Sequence, residues 1–145
     1  MRIAIDGIAV VTNPGVKLPT LSLDQVRGIF SGQITNFKDV GGPDAMIVVV
    51  TREEGSGTRD AFQGLVMGKA KIFEKALVQQ SNGQIRTTIA TTPNSIGYLS
   101  FGYLDGSVYA VPIDKVAPTA ENVLNKTYPI WRYFNLHDAM VLAFT

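Results

Sequence analysis

The chain has 145 residues, 46% of them apolar and 17% charged, a balance that supports one domain with a sizeable core and excludes intrinsic disorder. Net charge is +1 with no basic block, so nothing in it marks a nucleic-acid or anionic-membrane partner attracted by a global field. Cysteine is absent, which excludes disulfides and thiolate metal sites, and no apolar run approaches the length of a membrane span.

The opening "RIAIDGIAVVTNP" (2–14) predicts an extended β segment, interrupted at Asp6-Gly7 and stopped at Asn13-Pro14. With one basic residue and then Asp6 in the apolar run, it does not form a signal peptide, so any export signal is expected upstream. "LSLDQVRGIFSG" (21–32) predicts a helix with Ser22 as N-cap, Gln25 completing a capping box and Gly32 as C-cap. Its apolar stripe is Leu23, Val26, Ile29 and Phe30. Residues 36–44 are a loop by composition, and "AMIVVVT" (45–51) is a continuous apolar strand of the kind covered on both faces.

A helix is expected from about Thr58 to Val66, with a further helical stretch over 69–79 broken by Asn82-Gly83. Another helix is expected in 83–92, ending before Pro93. Residues 95–101 and 106–113 read as strands, 117–129 contains a short helix capped by Thr119, and 130–136 is extended again. Strands alternating with helices imply an α/β domain whose sheet is mixed and mostly parallel, flanked by helices.

The chemistry concentrates in "VVVTREEGSGTRDAF" (48–62). A helix N-terminus leaves backbone N–H groups without intrahelical partners and carries partial positive charge. Glycine lets backbone approach a ligand closely, and Ser and Thr hydroxyls add donors. Gly55-Ser56-Gly57-Thr58 between a strand and a helix therefore has the parts of an oxyanion cradle. Arg52 can add a planar fork of donors, Glu54 is placed to hold that guanidinium, and Arg59 offsets Asp60. The competing reading is a plain helix cap at Ser56 or Thr58 with solvated arginines.

The stretch is neither a Walker A loop nor a G-x-S-x-G nucleophile turn. His137 is the sole histidine, and Glu53/Glu54 are adjacent carboxylates expected to point apart. Tyr128, Trp131, Tyr133 and Phe134 are expected to pack in the core or at a hinge. No catalytic apparatus, metal site or cofactor is expected.

Taken together, "LSLDQVRGIFSGQITNFKDVGG", "IVVVTREEGSGTRDAF", "GYLSFGYLD" and "APTAENVLNKTYPIWRYF" resemble the phosphate-binding proteins of ABC transporters, receptors with a two-lobed type II periplasmic-binding-protein fold. The resemblance spans residues 2–135 and implies that 1–145 is a single lobe, the second, with hinge-like segments at about 2–12 and 129–136. It implies phosphate contacts from Arg52, Ser56, Gly57 and Thr58, with Glu54, Gly55 and Arg59 in support. It also implies a transporter permease as partner and a periplasmic or extracellular lipoprotein setting.

The family's first-lobe phosphate loop, and the aspartate that accepts a hydrogen bond from protonated phosphate, have no counterpart here. The turn alone is therefore expected to take phosphate or sulfate about equally. Without the first lobe, 2–12 and 129–136 are expected to present unpaired apolar backbone, satisfied by homo-oligomerisation, strand exchange or a separate first lobe. The alternative function is a non-catalytic structural or regulatory interaction module with a vestigial anion turn.

Overall fold

A computed structural model describes residues 3–135 of the chain. The strands are β1 (Ile3–Thr12), β2 (Val48–Arg52), β3 (Leu77–Gln79), β4 (Ser95–Ser100), β5 (Tyr109–Ala110) and β6 (Trp131–Asn135). The α-helices are α1 (Leu23–Phe30), α2 (Gly57–Phe62), α3 (Asn82–Thr91) and α4 (Ala120–Leu124). They build a six-stranded sheet of order β3-β2-β4-β1-β5, with β6 pairing β1 off that path. β2 is parallel to β3 and β4, whereas β1 is antiparallel to β4, β5 and β6. One strand thus opposes the other five, which is the mixed, mostly parallel α/β sheet expected.

Side-chain alternation sends the two faces of the sheet into separate clusters. Ile8, Val10, Val49, Ile96 and Tyr98 pack with Val26, Ile29 and Phe30 of α1 and Phe62 of α2. Ala9, Val11, Val50 and Leu99 pack with Ile85 and Ile89 of α3. The helices α2 and α3 therefore cover opposite faces. From β2 the chain moves outward to β3, and from β4 it leaves for β5 on the other side. Such a reversal opens a crevice at the carboxyl ends of the two central strands, where ligands bind in open α/β sheets.

The helix signals read from the sequence hold locally. Ser22 Oγ accepts the Gln25 N–H at 3.1 Å and Gln25 Oε1 accepts the Ser22 N–H at 3.0 Å, completing the box. Thr119 caps α4 through the Asn122 N–H. The C-cap of α1 is Ser31 rather than Gly32, which follows it with φ +84°.

Four expectations are corrected. First, residues 69–79 are not helical. Gly68, at φ 59°, ends the helix, the Phe73 N–H is held by the Phe30 carbonyl at 2.7 Å, and Leu77–Gln79 pair with β2. Tertiary pairing overrides the helix-forming lysines and glutamate of that stretch. Second, Asn82-Gly83 begins α3 instead of breaking a helix, because Ser81 Oγ caps it through the Gln84 N–H at 3.0 Å. Third, strand structure in 106–113 contracts to Tyr109–Ala110, and the loop 36–44 contains a 3₁₀ turn at Phe37–Val40.

The fourth correction concerns the hinge-like segments. β1 runs unbroken through Asp6-Gly7 but changes partners there. Residues 3–7 pair with β6, and residues 8–12 pair with β4. A side chain at Gly7 would stand 2.6 Å from Val123 Cγ2 and 2.9 Å from the Phe101 ring, so the glycine admits close packing. Along one edge, the two segments expected to lie unpaired pair with each other within one chain, without strand exchange. His137 and Asp138 lie outside the described residues.

Candidate functional site

β2 ends at Arg52, and the chain turns at once. The Ser56 N–H donates to the Glu53 carbonyl at 3.2 Å, closing a four-residue turn whose third residue, Gly55, has φ +91°. That is the type II pattern, which requires glycine or asparagine at this position. No atom lies within 4 Å of a Cβ built on Gly55, so Gly55→Ala should cost only the left-handed backbone, about 1–2 kcal/mol. Chemical denaturation reads this loss; an unchanged midpoint would mean that the turn relaxes to another form.

Ser56 is extended (φ −66°, ψ 127°), is buried, and caps α2. Its Oγ accepts the Arg59 N–H at 3.1 Å and its carbonyl accepts the Asp60 N–H at 2.9 Å. The N–H groups of Gly57 and Thr58 are left without an acceptor among the described residues. Helix structure continues beyond α2 as a π-helical segment at Gln63–Met67, so the expected span to Val66 is helical but not wholly α.

Two residues anchor the strand end against this turn. The Tyr98 ring on β4 stacks on Phe62 of α2, with centroids 4.1 Å apart and planes 3° from parallel. Its hydroxyl shares a 2.7 Å hydrogen bond with Thr51 Oγ1 and accepts the Arg52 N–H at 3.3 Å. Burial pushes the Tyr98 phenol up, so it stays a neutral donor and acceptor.

The supporting roles differ from those expected. The Arg52 guanidinium is held by Glu53, not Glu54: Nε donates to Glu53 Oε1 at 2.9 Å. Glu53 leaves the strand end beside the arginine, whereas Glu54 is exposed at the corner of the turn. The Glu53 carboxyl is lowered chiefly by the hydrogen bond from Arg52. Arg59 makes no ion pair with Asp60. Instead its Nη1 donates to the Arg52 carbonyl at 2.8 Å, tying the first turn of α2 back to β2.

Sequence reasoning missed a second polar group beside the same turn. The β1–β6 register sets Asp6 opposite Arg132. Ser100 Oγ, at the end of β4, donates to Asp6 Oδ2 at 2.7 Å, and the Ser100 N–H donates to Asn82 Oδ1 at the start of α3 at 3.2 Å. Arg132 Nη1 lies 3.9 Å from the position of a Cβ on Gly57, and Arg132 Nε is buried with no hydrogen-bond partner. Burial raises the Asp6 carboxyl, against the opposing pull of the Ser100 hydroxyl, the Arg132 charge and the Gly7 N–H. The available signal was a lone charge inside each of two apolar runs, "IAIDGIAVV" and "IWRYF".

Among the described residues no group of His, Asp or Glu side chains is placed to hold a metal, and no helix is long and apolar enough to cross a membrane.

Comparisons with known proteins identify the family to which this fold belongs. The phosphate-binding protein PstS of Bacillus subtilis is 40% identical over 133 residues, covering 91% of this chain and 44% of that protein. PstS of Borreliella burgdorferi is 30% identical over 140 residues, covering 89% of this chain and 50% of its own length. Among solved structures, a substrate-binding protein assigned to a phosphate ABC transporter of Clostridium perfringens, with phosphate bound, superposes with a TM-score of 0.86 at 45% identity. That match covers 92% of this chain and 56% of the other. An ABC-type phosphate transport receptor from Vibrio cholerae gives 0.85 at 35% identity, covering 99% and 65%. The chain spans about half the length of the curated relatives it matches. The PBP superfamily domain matches residues 1–137, and the chain belongs to that family.

Proposed function

We propose that this chain binds phosphate as one lobe of the substrate-binding component of a phosphate ABC transporter, without catalysing a reaction on it. The observation that carries the reading is the capped turn. Ser56 satisfies Arg59 and Asp60, while the Gly57 and Thr58 N–H groups are left without an acceptor among the described residues, in the turn that follows the strand-end Arg52. Arg52 spends Nε on Glu53, and its two Nη groups have no acceptor among the described residues. Two unpaired backbone N–H groups and a guanidinium within one strand–turn–helix segment suit a tetrahedral oxyanion. The relatives' names supply the choice of phosphate. A permease partner and a location outside the cytoplasmic membrane are part of the same proposal, supported by the likeness to phosphate-binding proteins.

Phosphate titration followed by amide NMR tests this reading, with sulfate run in parallel. The Gly57 and Thr58 resonances should move with an affinity on the order of millimolar, about 4 kcal/mol, and weaken as salt is raised. Sulfate should bind about equally, because the turn and Arg52 offer mostly donors. Still resonances at Gly57 and Thr58 would leave the turn a helix cap and favour an interaction module instead.

A further inference from the structure

We propose that Arg132 is a second guanidinium of this anion site, carried to it by the paired β1 and β6 strands and positioned by Asp6 and Ser100. The inference rests on the anion-binding reading of the Gly57-Thr58 turn given above, and adds a residue that lies 75 positions further along the chain.

Three observations converge on Arg132. The first is its place: Nη1 stands 3.9 Å from the point where a Gly57 side chain would begin, so the fork lies against the residue whose N–H is free. The second is its unused capacity. Arg132 Nε is the one buried side-chain nitrogen or oxygen among the described residues that lacks a hydrogen-bond partner. Such orphans are rare in folded proteins and call for an explanation, of which an absent ligand is one. A guanidinium offers five donors in a rigid plane, suited to bidentate contact with an oxyanion.

The third is how Arg132 is held. Asp6 sits directly across the ladder and attracts it, yet no direct ion pair forms between them. Asp6 Oδ2 is occupied by the Ser100 hydroxyl at 2.7 Å. A carboxylate that attracts the cation without binding it leaves the fork able to reach a ligand. Asp6 and Ser100 act through Arg132 and are positioning residues. Arg52 closes β2 ahead of the turn and Arg132 lies near the start of β6, so the proposed site draws its two cations from separate elements.

The test uses the whole chain, inorganic phosphate as probe, and the variants Arg132→Gln and Arg132→Lys. In the unmodified chain, phosphate should shift the Arg132 Nε–Hε resonance together with the Gly57 and Thr58 amides. Arg132→Gln should weaken binding roughly 10- to 100-fold, the value of a charge-assisted contact, with Arg132→Lys recovering part of it. If the Gly57 and Thr58 amides move while Arg132 Hε stays still, or Arg132→Gln with a native spectrum binds as tightly as the parent, the role of Arg132 is overturned and the turn's is not. If neither set moves, both readings fall. Should Arg132→Gln not fold, the Hε titration and the lysine variant decide the question.

Discussion

Arg52→Ala should weaken phosphate binding by roughly 1.5–3 kcal/mol, the range for a hydrogen bond to a charged group, while the sheet remains folded. Calorimetric titration of the variant against its parent measures the loss. The size follows from how the guanidinium is presented. Its Nε is fixed by Glu53 at 2.9 Å, and its backbone N–H by the Tyr98 hydroxyl at 3.3 Å. Little rotamer freedom is then left to lose when an anion arrives, so little of the contact is spent on ordering the side chain. Arg52→Lys keeps the charge but not the planar fork, and should recover only part of the loss. Equal binding by parent and Arg52→Ala would remove Arg52 from the site.

The larger effect on stability is expected at Phe62. Phe62→Ala should destabilise the fold by about 3–5 kcal/mol, the usual range for a buried aromatic truncated to alanine. The ring is fully buried, stacked on Tyr98 at 4.1 Å and edge-on to Phe30 at 4.9 Å. It is the point where α1, α2 and β4 meet. A domain's net stability is only about 5–15 kcal/mol, so urea unfolding should show a midpoint shifted far to low denaturant. The cavity also removes the platform of Tyr98, whose hydroxyl positions Thr51 and Arg52, so residual binding should fall as well. A shift below about 1 kcal/mol would mean that the neighbours collapse into the space, against the cavity costs seen for such truncations.

What the sequence made legible was local chemistry. Ser22 with Gln25, Thr119 with Asn122 and Ser56 at the start of α2 are signals written within four residues, and each is met. The apolar run ending in Thr51 marked a buried strand for the same reason. Where the outcome depended on a distant partner, local reading failed. The 69–79 stretch has helix-forming residues, but Phe30 and the open edge of β2 claim its backbone. Glu54 was favoured over Glu53 as the arginine's partner, although the turn that separates them is set by Gly55. Arg132 and Asp6 become neighbours only through the register of two strands more than a hundred residues apart in the chain, a fact that no window of sequence contains.

The change of partner along β1 gives the strand two mechanical duties. Residues 8–12 are anchored in the body of the sheet beside β4, while residues 3–7 run with β6 as a two-stranded arm. The joint falls at Gly7, wedged against Val123 and Phe101. The change of partner along the strand therefore coincides with its closely packed glycine. Because Asp6 and Arg132 stand opposite each other on that arm, the register of the arm fixes where their charges lie, with Arg132 Nη1 beside Gly57.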